Sequence, residues 1–139
     1  MENRLSGRKA SESFRQQLTK DSAAYEQKWR TKPVLAVIIP QLDDASRSYL
    51  ASRVKLANEV GIEVESYVFD TIEEAALLAL ISRLNQDEKV NGIMIDRPLP
   101  ASINQQRVMD AIDKQKDVDG SGVYHAGQLM LGKKALYPS

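Results

Sequence analysis

The chain has 139 residues, which is the length of one ordinary domain, and its 19 basic and 19 acidic side chains leave no net charge to attract nucleic acid or anionic membranes. It contains no cysteine, which excludes disulfides, thiolate nucleophiles and cysteine metal sites. The polar start lacks the apolar centre of a secretion signal, and no apolar run approaches the ~20 residues of a membrane-spanning helix, so we expect a soluble cytoplasmic protein.

The first half of the chain is predicted to alternate helix and strand. A polar, weakly amphipathic stretch from about residue 7 to 29 is typical of a solvated helix. The run "PVLAVIIP" (33–40) is apolar, branched and of strand length, which indicates a strand buried on both faces. The next helix is predicted to be capped by Asp44 or Ser46 and to stop at Gly61. The stretch "IEVESYVFD" (62–70) alternates as a strand does.

The second half repeats this pattern. Thr71 followed by Glu74 predicts a capping box at the start of a helix that carries leucine and isoleucine along one side. "VNGIMID" (90–96) is the third predicted strand, and short helices are predicted at 104–112 and near 123–131. Because strands alternate with helices of crossover length, we predict the α/β class, with three αβα layers around a mainly parallel sheet in a single domain, 1–139.

Two loops of this sheet are candidate binding loops, since ligands bind beyond the carboxyl ends of parallel strands. "DRPLP" (96–100) follows the third strand and "QLDDAS" (41–46) follows the first. Asp96 therefore either lines a pocket, or caps a loop or pairs with Arg97 at the surface. The prolines hold the shape of the loop in both cases, because each restricts its own backbone torsion and that of its neighbour.

Tyr49 and Arg53 lie four residues apart and project from one face of the predicted second helix, from which both could reach one ligand. Spacing alone favours the alternative of a partly buried tyrosine beside a solvated arginine.

The segment "KDVDGSG" offers Asp117 and Asp119 to a ligand or simply turns the chain, and by itself it favours a turn. The glycines that follow do not make a dinucleotide fingerprint, because His125 occupies the completing position and no buried strand precedes them. His125 is the only histidine, and its turn-rich surroundings favour a surface position over a role as base or ligand. We see no metal-binding constellation.

Three stretches, "LAVIIPQLDDASRSYLASRVKLANEVGIEVESY", "LISRLNQDEKVNGIMIDRPLP" and "KDVDG", resemble in order and spacing the folate-binding catalytic domain of the bifunctional methylenetetrahydrofolate dehydrogenase/methenyltetrahydrofolate cyclohydrolases. The resemblance implies an enzyme of one-carbon folate metabolism, usually dimeric, that acts on a small folate-type ligand. It also implies a second, Rossmann-type domain that binds NAD(P). We find no such domain within residues 1–139 and therefore expect no cofactor on this chain itself.

The family's helix motif, Ser-x-x-Tyr-x-x-x-Lys, is matched at Ser46 and Tyr49, whereas Arg53 stands in the position of the lysine. The resemblance implies that Tyr49 packs against the folate and that the lysine serves the cyclohydrolase step. Asp119 belongs to an intact Lys-Asp-Val-Asp-Gly motif and matches the carboxylate that holds the amino edge of the pterin ring. Beyond it, where the family commonly has Phe-His-Pro-Tyr-Asn, residues 121–125 keep only the tyrosine.

The family's strand-end motif is usually Val-Gln-Leu-Pro-Leu-Pro. It is matched at Pro98, Leu99 and Pro100, which the resemblance places at the folate pocket. Asp96 stands in the position of the glutamine that tunes the catalytic lysine, and Arg97 replaces the following leucine.

The two departures are complementary in charge. A guanidinium stays charged and cannot replace lysine as a general base, and a buried arginine requires a carboxylate. We therefore predict an ion pair between Arg53 and Asp96 that keeps the walls of the pocket and removes its acid–base group. The chain alone is predicted to lack dehydrogenase activity and to have lost cyclohydrolase activity. The alternatives are a non-catalytic module that binds a pterin-like ligand through Tyr49 and Asp119, and an interaction domain with a decayed pocket.

Overall fold

The computed structural model describes residues 7–138, apart from the side chains of residues 8–10. Helices and strands alternate over most of this range, as predicted. In chain order the elements are α1 (Gly7–Trp29), β1 (Val34–Ile39), α2 (Asp44–Glu59), β2 (Glu63–Val68), α3 (Glu74–Gln86), β3 (Val90–Ile95), α4 (Gln105–Asp110) and α5 (Val123–Met130). No helix within the described range combines the length and apolarity needed to cross a lipid bilayer.

The three strands form one parallel sheet in the order β2-β1-β3, which confirms the predicted α/β class. β1 occupies the centre because its apolar side chains tolerate burial on both faces, and only Leu35 along it is not fully buried. β2 carries Glu63 and Glu65 and lies at an edge. Since all three strands point the same way, the loops that follow them meet at one edge of the sheet.

The two faces of the sheet are covered unequally. Helices α3 and α4 pack on one face and bury their apolar side chains against those of β1 and β3, and burial of each large aliphatic side chain there contributes roughly 1.5–3 kcal/mol. α3 contributes Leu77, Leu80, Ile81 and Leu84. On the other face α2 lies against the sheet without any fully buried residue. The side chains of α2 therefore all remain at least partly accessible to the solvent.

The predicted N-cap of α2 is wrong, since the residue that caps the helix precedes both predicted candidates. The N-cap is Asp43, not Asp44 or Ser46, and its Oδ1 accepts hydrogen bonds from both the backbone N–H and the hydroxyl of Ser46, at 2.7 Å each. Asp43 takes the role because its backbone is extended while Asp44 already belongs to the helix. The predicted stop is confirmed, since Gly61 adopts a left-handed φ of 81° just after the helix.

The predicted capping box of α3 is also wrong. The N-cap is Glu73, which makes no side-chain capping bond. The Glu74 carboxylate instead accepts from the backbone N–H of Asn104 at 2.7 Å and pairs with Arg107 at 3.0 Å. The Glu74 carboxylate, which the sequence motif assigned to capping α3, thus bonds to Asn104 and Arg107 instead. These two bonds hold the end of the loop that follows β3.

Candidate functional site

Three chain segments meet at the carboxyl edge of the sheet and enclose a cavity of about 410 Å³. They are the start of α2, the loop after β3 and the segment that contains Asp119. The backbone N–H of Asp96 donates to the carbonyl of Ile38 at 2.8 Å, which holds the loop after β3 against the end of β1. The strand-end position that parallel topology predicts for a ligand therefore coincides with a real concavity.

Five of the seven predicted site residues line this cavity, namely Tyr49, Arg53, Asp96, Pro98 and Asp119. Leu99 and Pro100 do not. Leu99 instead packs against the hydrophobic core, and the carbonyl of Pro100 accepts from the N–H of Ile103 at 2.9 Å. These two residues support the loop from behind, while Pro98, joined to Arg97 by a cis peptide bond, faces the cavity.

The predicted ion pair between Arg53 and Asp96 is confirmed. Arg53 Nη1 lies 2.7 Å from Asp96 Oδ1, and 29% and 15% of the two side chains are exposed. The structure shows no pairing of Asp96 with Arg97. The pair crosses from α2 to the loop after β3, so it ties together two of the three segments that form the cavity.

Spacing alone misjudged Tyr49 and Arg53. The tyrosine is 63% exposed rather than partly buried, and the arginine is drawn inward by Asp96 rather than solvated. The Arg53 guanidinium carbon lies 5.2 Å from the centroid of the Tyr49 ring, within the range of a cation–π contact. The open tyrosine ring therefore forms a wall of the cavity beside a charge that is already neutralised.

We expect the pair to contribute more to stability than an exposed pair does. In a double-mutant cycle with Arg53→Ala and Asp96→Ala, the coupling between the two should be about 1–2 kcal/mol, because each single change leaves a partly buried charge without its partner. Urea unfolding of the four proteins measures the coupling.

The chain offers a matched control in Glu74 and Arg107, whose side chains are 23% and 67% exposed. Pairs with one largely exposed member, as Arg107 is here, contribute about 0.5 kcal/mol. Equal coupling in the two cycles would contradict a special role for Arg53 and Asp96 in holding the site together.

The segment that carries Asp119 is laid alongside β3. Ile93 donates its N–H to the carbonyl of Lys116 at 2.7 Å and forms a parallel bridge with Asp117. This close approach requires Gly92, because a Cβ at that position would lie 2.5 Å from Cγ1 of Val118. The glycine in "VNGIMID" therefore has a direct structural link to the position of Asp119.

The two aspartates of "KDVDGSG" have different roles. Asp117 is buried and turns the chain, since its carboxylate accepts from the backbone N–H groups of Gly122 at 2.9 Å and Ser121 at 3.3 Å. Asp119 lines the cavity. The turn alternative is thus confirmed for Asp117, and the ligand alternative stays a prediction for Asp119.

Asp43 is a cavity residue that the sequence reasoning missed. The backbone N–H and the hydroxyl of Ser46 donate to its carboxylate and hold the pKa of Asp43 below its ordinary value. The cavity rim therefore carries an ionised carboxylate at neutral pH. The signal was present in "QLDDAS", where Asp43 stands three residues before Ser46, the usual spacing from an N-cap to the N–H that it accepts.

His125 was expected at the surface, and the structure contradicts this. Its side chain is buried, with Nε2 3.0 Å from the carbonyl of Lys114 and Nδ1 3.3 Å from the N–H of Leu136. The reason is the C-terminal segment, which folds back over the histidine. Within residues 7–138, no group of three or more His, Cys, Asp or Glu side chains is placed to hold a metal ion.

Comparison with known proteins agrees with the geometry. The family model described as tetrahydrofolate dehydrogenase/cyclohydrolase, catalytic domain, matches residues 5–119. The bifunctional protein FolD 1 of Geobacter metallireducens is 37% identical over 136 residues, which are 97% of this chain and 47% of that protein. FolD of Bacillus cytotoxicus is 38% identical over 135 residues, 96% of this chain and 47% of the relative. The chain thus spans about half the length of these relatives.

Solved structures give the same result. A 5,10-methylenetetrahydrofolate dehydrogenase from the silkworm Bombyx mori superposes with a TM-score of 0.92 at 32% identity, over 99% of this chain and 48% of that one. The Campylobacter jejuni FolD methylenetetrahydrofolate dehydrogenase/cyclohydrolase gives 0.86 at 32% identity, over 93% and 46% of the two chains. The Trypanosoma brucei FolD, solved with NADP and an inhibitor, gives 0.82 at 27% identity, over 90% and 43%. The chain belongs to the tetrahydrofolate dehydrogenase/cyclohydrolase family, and residues 5–119 match its catalytic domain.

Proposed function

We propose that residues 1–139 form one domain that binds a reduced folate in the cavity between α2 and the loop after β3, as a catalytic-type domain of one-carbon folate metabolism. The observation that carries the proposal is that Tyr49, Asp96 and Asp119, three positions matched to the family's site from separate parts of the sequence, line one cavity. Its volume, about 410 Å³, lies within the range of small-ligand pockets.

The residues of the cavity have distinct roles in this proposal. The Asp119 carboxylate has two acceptor oxygens, which suit the amino group and the neighbouring ring N–H at the edge of a pterin. The ring of Tyr49, which is largely exposed along the cavity wall, offers an apolar surface to the rest of the folate. Pro98 supplies a rigid part of the wall.

The ion pair determines which chemistry the site supports. A guanidinium hydrogen-bonded to a carboxylate at 2.7 Å has no lone pair with which to accept a proton from water. Arg53 therefore fixes charge in the cavity and does not activate a nucleophile. We infer that binding and orientation of the folate are retained and that the acid–base step of a cyclohydrolase is lost.

The glycine-rich segment 120–127 does not fit the pyrophosphate of a nicotinamide dinucleotide. The glycines at 120, 122 and 127 follow no strand of the sheet, and the N–H of Gly122 already donates to the buried Asp117 carboxylate. A pyrophosphate would need that N–H free at a helix start. NAD(P) would supply the hydride acceptor for dehydrogenation, so in this proposal that activity depends on a separate cofactor-binding unit, and this domain contributes placement of the one-carbon unit.

A second candidate function is a non-catalytic module that binds folates or related pterins for storage or sensing. The Arg53–Asp96 pair favours it, because the pair stabilises the cavity without serving proton transfer. The two functions share the ligand and differ in whether any turnover follows when a cofactor-binding unit is supplied.

The experiment that tests binding is calorimetric titration of the chain with tetrahydrofolate. We expect saturable heat at one ligand per chain. The control ligand is p-aminobenzoylglutamate, which lacks the pterin and is expected to give no saturable heat because it cannot reach Asp119. Absence of saturable heat with tetrahydrofolate would contradict the proposed function, and equal affinity for both ligands would contradict recognition through the pterin edge.

A further inference from the structure

The segment after α5 lies on the loop that carries Asp119, and a buried histidine holds it there. His125 is 7% exposed and sits within α5. Its Nδ1 accepts from the backbone N–H of Leu136 at 3.3 Å, and its Nε2 lies 3.0 Å from the carbonyl oxygen of Lys114. One imidazole therefore links the C-terminal segment to the turn that leads into "KDVDG".

The partners of His125 determine its tautomer. A carbonyl oxygen can only accept, so Nε2 must carry the hydrogen that it donates to Lys114. A backbone N–H can only donate, so Nδ1 must present its lone pair to Leu136. Both ring nitrogens are thus hydrogen-bonded, Nε2 as the donor and Nδ1 as the acceptor.

Leu136 in turn presses against the residue next to Asp119. Gly120 has a left-handed φ of 61°, and a Cβ placed on it would lie 3.0 Å from the carbonyl oxygen of Leu136 and 3.1 Å from its Cβ. On the other side of Asp119, the buried Asp117 holds the turn through the N–H of Gly122 at 2.9 Å. Asp119 is therefore carried by a short stretch that is fixed at both ends.

We infer that His125 is a positioning residue for Asp119: by holding Leu136 against Gly120, it fixes the direction in which the Asp119 carboxylate enters the cavity. The inference rests on the proposed function, since the carboxylate is the group that would hold the pterin edge. His125 is not among the residues that line the cavity, and in this inference it acts through Leu136.

Two substitutions separate the bonds of the imidazole. In His125→Asn the amide oxygen can take the place of Nδ1 and keep the bond from Leu136. In His125→Gln the amide nitrogen can take the place of Nε2 and keep the bond to Lys114 while Leu136 loses its acceptor. A third variant, Leu136→Pro, leaves the histidine intact and removes the N–H that it accepts. This last variant decides the question if the glutamine variant does not fold.

The variants are titrated with tetrahydrofolate and with an analogue whose pterin lacks the 2-amino group. We expect His125→Gln and Leu136→Pro to weaken tetrahydrofolate on the order of tenfold, the loss equivalent to one well-placed hydrogen bond. His125→Asn should bind tetrahydrofolate as the unchanged chain does. The analogue keeps only the ring N–H as a donor to Asp119, so its affinity should differ less among the four proteins than that of tetrahydrofolate does.

Equal losses for both ligands, or equal behaviour of the asparagine and glutamine variants, would overturn the inference while leaving folate binding intact. If the unchanged chain binds no tetrahydrofolate, the proposed function fails, and amide hydrogen exchange over residues 119–122 decides the positioning role. Faster exchange in His125→Gln and Leu136→Pro than in His125→Asn supports it. Identical exchange in all three overturns it.

Discussion

Exchanging Arg53 for lysine and Asp96 for glutamine together is expected to raise hydrolysis of methenyltetrahydrofolate by this domain roughly 10²–10⁴-fold, the usual contribution of a positioned general acid or base. The expectation follows from the geometry of the ion pair. Arg53 and Asp96 are already in contact at 2.7 Å, so side chains of similar length at the same positions will also meet. A lysine beside a neutral amide can release its proton, whereas the guanidinium cannot.

The single exchanges are the controls. Arg53→Lys alone places an ammonium beside the Asp96 carboxylate, which favours the charged form of the lysine and keeps it from acting as a base. Asp96→Gln alone leaves a partly buried guanidinium without its carboxylate and is expected to lower stability. We therefore expect neither single variant to gain activity, and the unchanged chain to remain at the uncatalysed rate.

The rate is measured as the loss of methenyltetrahydrofolate absorbance over time. Rapid hydrolysis by the unchanged chain would show that the site does not depend on lysine. A double variant that still binds folate and remains inactive would show that more of the acid–base apparatus is missing than these two side chains.

The second large effect is expected at Asp119. Replacement by alanine should weaken tetrahydrofolate roughly 10²–10⁴-fold, because two hydrogen bonds to a carboxylate, each of about 1.5–3 kcal/mol, are lost at the pterin edge. Calorimetric titration measures the change. Tyr49→Phe, which keeps the ring and removes only the hydroxyl, should have a much smaller effect.

Asp70 provides a matched control for Asp119. It is an exposed aspartate beyond β2, at the same edge of the sheet, and it does not line the cavity. Asp70→Ala should therefore leave the affinity unchanged while altering the net charge by the same amount. An equal loss in the two variants would indicate a general electrostatic effect and would contradict a direct contact at Asp119.

The fold was largely predictable from the sequence because its central elements have strong local patterns. The branched apolar run of β1 and the one-sided leucines of α3 each permit one buried arrangement. The helix starts were harder to predict. At α2, neighbouring aspartates compete for one cap, and at α3, Glu74 is captured by α4. Whether a side chain caps a helix depends on the other hydrogen-bond partners that the fold brings near it, and a short sequence motif does not specify those partners.

The contact between Arg53 and Asp96 was predictable because the two side chains have opposite charges. The opposite charges at 53 and 96, read against the family's motifs, were sufficient to predict a contact 43 residues apart. Burial of His125 was not predictable in the same way, because it depends on a C-terminal segment without periodicity folding back over the helix. Exposure of Tyr49 follows from the packing of α2, which has no fully buried residue, and the spacing of residues along the helix does not determine that packing.

A crystal structure of the domain with bound tetrahydrofolate tests the central claim most directly, namely that the cavity keeps its ligand contacts while an ion pair occupies the place of the acid–base group. We predict the pterin edge on the Asp119 carboxylate, the folate against the ring of Tyr49, and Arg53 still bonded to Asp96. A ligand bound outside this cavity, or an Arg53 that leaves Asp96 to contact the one-carbon unit, would contradict the claim.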